Sequence, residues 1–146
     1  MSFFPRVILL ATDGSEESAL ALEAAVDLSN KTESDLHVVH VALMSFWVYP
    51  DTTSSEQAQG LRREAQKLLD AQVEKVEKAG GTVAHSHLRM GRADAEVVRL
   101  GEEIEAGLIV MGSRGVSTIT RILLGSDAES IVRHAHCPVM IVRPEE

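Results

Sequence analysis

The sequence predicts an α/β fold: a single domain over residues 1–146, built as a doubly wound, five-stranded parallel sheet with helices on both faces. Three observations predict it. Short β-branched runs alternate with longer helical patterns along the whole chain, which is the signature of βαβ units. The runs are mostly continuous in apolar residues rather than alternating, as strands covered on both faces must be. A length of 146 residues, with 45% hydrophobic and 25% charged, suits one buried core in one domain.

The first run, "RVILLAT" (6–12), reads as a buried strand. "DGSEES" (13–18) follows as turn and helix start: Ser15 can cap, and Glu16 and Glu17 suit the positive end of a helix dipole. "ALALEAAVDLSN" (19–30) is a helix with one buried face, and "DLHVVHVAL" (35–43) is a second strand. The polar and aromatic connection "MSFWVYPDTTSS" (44–55) is too long for a tight turn. From Glu56 to Ala79, Leu61, Ala65, Leu68, Val73 and Val76 recur at roughly helical spacing, and Gly80 and Gly81 end that helix. "TVAHSHLRM" (82–90) is a third strand whose polarity places it near a sheet edge. "ADAEVVRLGEEIEA" (93–106) is a helix turning Val97, Leu100 and Ile104 inward. "GLIVMGS" (107–113), "DAESIVRHA" (127–135) and "CPVMIVRP" (137–144) complete the series as strand, helix and strand. Right-handed crossovers then put helices on both faces. No internal repeat, low-complexity stretch or domain linker interrupts the pattern.

Composition excludes several classes. A net charge of -8 argues against a surface devoted to nucleic acid or anionic membrane, while leaving room for a local anion site. The single cysteine, Cys137, cannot form an internal disulfide, which suits a reducing cytoplasm. The N-terminal apolar run is cut off by Asp13 and Gly14, too short for a signal segment, and no stretch approaches membrane-spanning length. A soluble, cytoplasmic protein is expected.

The stretch "MGSRGVSTITRILLGSD" (111–127) leaves a buried strand and holds Gly112, Gly115 and Gly125, with Ser126 after them. Ligands of open α/β sheets bind beyond the carboxyl ends of strands. Glycines there admit positive φ and bring backbone N–H groups close to an anion, and a following helix N-terminus adds its own. The local chemistry leaves a second reading open: Gly112 as an ordinary strand-end turn, and Ser126 with Glu129 as a capping box.

The full spacing, G-x2-G-x9-G-S, resembles the nucleotide motif of the universal stress protein family in its ATP-binding branch. "ILLATDGSEES", "LHVVHV" and "RHAHCPVMIVRP" resemble that family's first strand and turn, second strand, and last helix and strand, so the resemblance covers nearly the whole chain. It implies ATP as the ligand, for which Mg²⁺ or Mn²⁺ is a candidate companion ion through Asp127. Ala11, Thr12 and Asp13 would sit beside adenine and ribose, and Val41 would meet adenine through its main chain. Met111 and Gly112 would pack near base and ribose; Arg114 and Gly115 would begin the phosphate cradle, and Gly125, Ser126, Asp127 and Ala128 would finish it. The resemblance also implies a homodimer through the last strand (138–143), for which an apolar edge is a ready surface.

Charge placement points the same way. Glu16 and Glu17 make the first turn a poor place for phosphate, whereas Arg114 and Arg121 follow the fourth strand. Asp127 departs from the family pattern, in which a small or β-branched apolar residue commonly stands after "GS". It either helps hold a divalent ion on ATP or points away as a helix-start charge.

Other motifs carry less. His85 and His87 share a strand face without further ligands, and read as a surface pair. "HAHC" (His134 to Cys137) cannot assemble four chelating positions, and Cys137 lacks an oriented base and reads as a packed thiol. Phe46, Trp47 and Tyr49 form an aromatic patch suited to a lid over adenine or to a dimer contact. No P-loop, dinucleotide fingerprint or nucleophile elbow occurs. The expected action is nucleotide-dependent binding in stress response. Its rivals are slow ATP hydrolysis, for which only Asp13 or Asp127 could activate water, and a nucleotide-free dimeric scaffold. A flavin carrier shares the fold, but nothing in the sequence calls for flavin.

Overall fold

A computed structural model of the protein describes residues 4–43, 55–113 and 125–144. The elements run β1 (Val7–Ala11), α1 (Glu16–Thr32), β2 (Asp35–Ala42), α2 (Ser55–Lys78), β3 (Val83–Met90), α3 (Ala93–Glu103), β4 (Leu108–Gly112), α4 (Ser126–His134) and β5 (Val139–Val142). All five strands pair in parallel, in the order β3-β2-β1-β4-β5. This is the expected architecture, with the polar β3 at one edge and the apolar β5 at the other.

Strand alternation divides the core into two layers. Ile8 and Leu10 of β1 face α1 and α2, where they meet Ala21, Leu22, Leu69 and Val76. Leu9 points the opposite way, toward Val97 and Leu100 of α3 and Ile131 of α4. A central parallel strand buried on both faces has no outward side, which is why its sequence is an unbroken apolar run.

Two elements differ from expectation in a way that matters later. The buried stripe of α2 is Ala65, Leu69, Gln72 and Val76, a 4-3-4 spacing, while Leu61, Leu68 and Val73 lie half-buried beside it. The other is α4, which starts one residue earlier than expected. Gly125 is its N-cap and Ser126 its first helical residue, with no side chain capping the turn. The capping box between Ser126 and Glu129 therefore does not form.

Candidate functional site

Two consecutive crossovers carry the chain from β1 outward to β3; the next returns it to β4 on the far side of β1. The β1–β4 boundary is thus the point where strand order reverses, and the crevice beyond the carboxyl ends there is where such sheets bind ligands.

The first wall of that crevice is the turn from β1 to α1. Thr12 continues the β1 ladder, its N–H donating to the Val39 carbonyl at 3.0 Å. Its hydroxyl is buried and has one proton to share between Ser18 Oγ at 3.2 Å and Gln72 Oε1 at 3.0 Å. The Thr12 carbonyl accepts from His40 Nδ1 at 3.0 Å, which fixes the proton of that ring on Nδ1. Asp13 Oδ1 accepts the Ser15 N–H at 2.9 Å, and Ser15 Oγ in turn caps α1 by accepting the Ser18 N–H at 3.1 Å. Gly14 between them has φ +82°, a conformation that a residue with Cβ adopts at a cost.

The second wall is the end of β4 and the start of α4. Gly112 is extended strand, and its lack of Cβ is used for packing: a Cβ there would lie 2.9 Å from the Glu17 carbonyl carbon. Ser113 follows, buried, donating from Oγ to Glu17 Oε2 at 2.9 Å. The Ser113 carbonyl accepts the Gly125 N–H at 2.7 Å, which ties the end of β4 to the N-cap of α4. Glu17 therefore reaches across from the first turn, and the acidic and fourth-strand sides are less separate than the sequence implied.

A third wall comes from α3. Ala93, the first residue of α3, and Asp127, in the first turn of α4, both line the cleft, and the Asp127 carboxylate lies near Asp94. Although much of the residue is exposed, partial loss of water around the carboxyl, together with Asp94 and Asp13, raises its proton affinity, while Arg92 opposes. Asp94 behaves in the opposite sense. Burial alone would raise it, but donation from Ser130 Oγ at 2.7 Å, Arg92 at 2.8 Å and the Ala95 N–H outweighs that and holds it below the usual carboxylate range.

The resulting cleft has about 680 Å³ of space, part of it open to solvent. Ten of the twelve residues singled out in the sequence line it: Ala11, Thr12, Asp13, Val41, Met111, Gly112, Gly125, Ser126, Asp127 and Ala128. Arg114 and Gly115 lie outside the described residues, as do Arg121, Phe46, Trp47 and Tyr49. The structure adds Ser18, Val39, Ala93, Val97 and Ile131 to the lining, with Gln72 behind Thr12. Val97 was legible only as an inward-facing helix residue, and Ile131 was not singled out; that a core residue also floors a crevice depends on which helices meet there.

Among the described residues no group of three or more His, Cys, Asp or Glu side chains could hold a metal ion. His134 Nδ1 donates to the Ser130 carbonyl at 2.9 Å, and His136 pairs with Glu102 at 2.9 Å. Cys137 is half-buried, and burial pushes its thiol further from ionisation. His85 and His87 have a third companion, His37 on β2, whose Nδ1 lies 2.9 Å from His87 Nε2. Burial, and then neighbouring histidines, depress proton uptake by both His37 and His87.

Comparison with known proteins places this architecture. The universal stress protein family model matches residues 5–143. Universal stress protein MJ0531 of Methanocaldococcus jannaschii is 33% identical over 138 residues, covering 93% of this chain and 81% of the relative. Among solved structures, the hypothetical protein MJ0577 superposes with a TM-score of 0.84 at 25% identity, covering 97% of each chain. A universal stress protein crystallised in complex with cAMP superposes with a TM-score of 0.75 at 25% identity, covering 97% of this chain and 99% of the other.

Proposed function

The chain belongs to the universal stress protein family, and from that premise we propose that residues 1–146 act as one ATP-binding domain, regulating a cytoplasmic stress response through nucleotide-dependent binding. The observation that carries the reading is the convergence of the ten named residues on one cleft at the switch point of the sheet. The fit is physical as well as positional. The cleft is apolar toward Val39, Val41, Met111 and Ile131, as an adenine ring requires, and polar toward Asp13, Ser126 and Asp127. The first turn of α4 faces it with N–H groups that no side chain caps, which suits a phosphate. A relative of similar fold is known with cAMP, another adenine nucleotide.

In this reading the Val41 main chain meets adenine, Asp13 meets a ribose hydroxyl, and the Gly125–Ala128 turn holds phosphate together with Arg114 and Gly115. Any divalent ion would arrive on the nucleotide, since the described residues offer no resident set of ligands. We also propose a homodimer through 138–143. Support comes from β5, an edge strand of four apolar residues, each half-buried, which resembles an interface more than a solvated edge.

The test is calorimetric titration of the nucleotide-stripped protein with ATP, with and without Mg²⁺, beside Gly115→Val. Saturable binding by the wild type that is lost in the variant is expected. An absence of binding under both conditions would sink the ATP reading, and an absence of AMP binding as well would leave a scaffold.

A further inference from the structure

We infer that Asp127 makes the cleft select adenine nucleotides by the charge of their phosphate tail, favouring one phosphate over three. The inference rests on the reading of the cleft as an adenine-nucleotide site.

Two helix N-termini converge on the cleft wall, those of α3 and α4. A helix N-terminus attracts anions through free N–H groups and the dipole. At α3 the N-cap Arg92 makes no side-chain cap bond, and Asp94 in the first turn is held by Arg92 and Ser130. At α4, the N-cap Gly125 brings no side chain at all. Gly125, Ser126 and Asp127 all line the cleft, so the α4 start is open to a ligand anion with the Asp127 carboxylate beside it.

The surroundings of that helix start are acidic. Asp13 and Asp127 both line the cleft, and Asp94 and Asp13 lie close enough to Asp127 to act on its charge. The cation among the described residues there, Arg92, is engaged by Asp94 at 2.8 Å. A single phosphate can take the α4 amides while the rest of the ligand stays neutral. A second and third phosphate add charge next to Asp127, and each like-charge pair at such range weakens binding. Asp127 is thus a specificity-determining residue: it costs a triphosphate more than it costs a monophosphate.

Asp127→Asn isolates the effect, because it removes the charge while keeping the size and shape of the side chain. Adenosine, AMP and ATP are titrated calorimetrically into wild type and variant at pH 8, low salt and with chelator present. In the wild type, ATP is expected to bind no more tightly than AMP. In the variant, the ATP-to-AMP affinity ratio is expected to rise about tenfold. Asp127→Ser, neutral and suited to a first helical turn, replaces it if the Asn variant does not melt cooperatively. A wild type that prefers ATP to AMP by more than about threefold, or a ratio unmoved by the variants, overturns the inference while leaving the nucleotide site standing. Failure of all three ligands to bind the wild type removes both.

Discussion

Replacing Gly112 by alanine tests whether this glycine serves the ligand or the fold. A Cβ at 112 would lie 2.9 Å from the Glu17 carbonyl carbon and 3.0 Å from both the Glu17 Cβ and its carbonyl oxygen. Favourable carbon contacts begin at about 3.5 Å, so the first turn of α1 must retreat by roughly half an ångström. Retreat is resisted: Ser113 is hydrogen-bonded to Glu17, and Ala21, Leu22 and Ala25 of the same helix are packed in the core. The obstacle is backbone and the root of a side chain, neither of which can swing away. Overpacking of this kind costs about 1–3 kcal/mol. Against it stands about 0.4–1 kcal/mol from restricting the unfolded chain, gained without backbone strain because Gly112 is not among the positive-φ residues. A net loss of about 1–2 kcal/mol lowers the melting temperature by about 3–8 °C at this length. Thermal and urea unfolding followed by circular dichroism would measure it. Gly60→Ala in α2 is the control: its Cβ meets only the end of the Arg63 side chain, at 3.9 Å, so that variant should melt at or above wild type. A Gly112→Ala protein as stable as wild type would refute the packing argument and return the residue to the ligand.

Two further perturbations follow from the polar interior. Gln72→Leu leaves the Thr12 hydroxyl short of a buried partner and should cost about 1–3 kcal/mol. Adding Thr12→Val should recover part of that loss, so the double variant is more stable than the sum of the singles predicts; strict additivity in urea unfolding would disprove the coupling. The histidine cluster sets a pH dependence. His37 and His87 are depressed in the fold, first by burial and then by neighbouring histidines, with Asp35 and Glu103 opposing and Arg89 adding to the depression at His87. The folded state therefore binds fewer protons than the unfolded one, so stability is fully present above the unfolded value near 6.5 and is lost as pH falls below it. Each such group contributes at most about 1.4 kcal/mol per pH unit. His87→Gln should flatten the fall in unfolding free energy between about pH 7.5 and 5.5, and an unchanged slope would count against the cluster as its source.

The fold was legible because its signals are local. The central strands are runs that only doubly covered positions tolerate, the polarity of β3 marks it as an edge, and each helix ends at its own glycine or polar turn. What escaped the sequence is pairwise and distant. Helical periodicity scores Gln72 as an outward polar residue and favours Leu68 and Val73. Its place in the buried stripe is explained by Thr12, 60 residues earlier in the chain, whose hydroxyl needs an acceptor. His37 escaped for the same reason: only the β2–β3 register brings it beside His85 and His87. Asp127 was visible as a helix-start charge, but its neighbours Asp94 and Arg92, which α3 brings to it, were not.

The motif glycines make the point most sharply, because one letter stands for different requirements. Positive φ was the general reason to expect glycines in this loop, and neither described motif position uses it. Gly112 is extended strand and yields space to a helix backbone. Gly125 has φ −63° and ψ 155°, angles open to any residue. A serine at that N-cap would turn its hydroxyl onto an N–H of the first turn and satisfy it from within. Glycine leaves those N–H groups to be satisfied from outside the chain, by water or by an anion. What the spacing encodes at 112 and 125 is therefore clearance: room for α1 to approach the sheet at one, and an uncovered helix start at the other. The ligand reading depends on the second alone, so loss of stability at 112 and loss of anion binding at 125 are separable effects of the same motif.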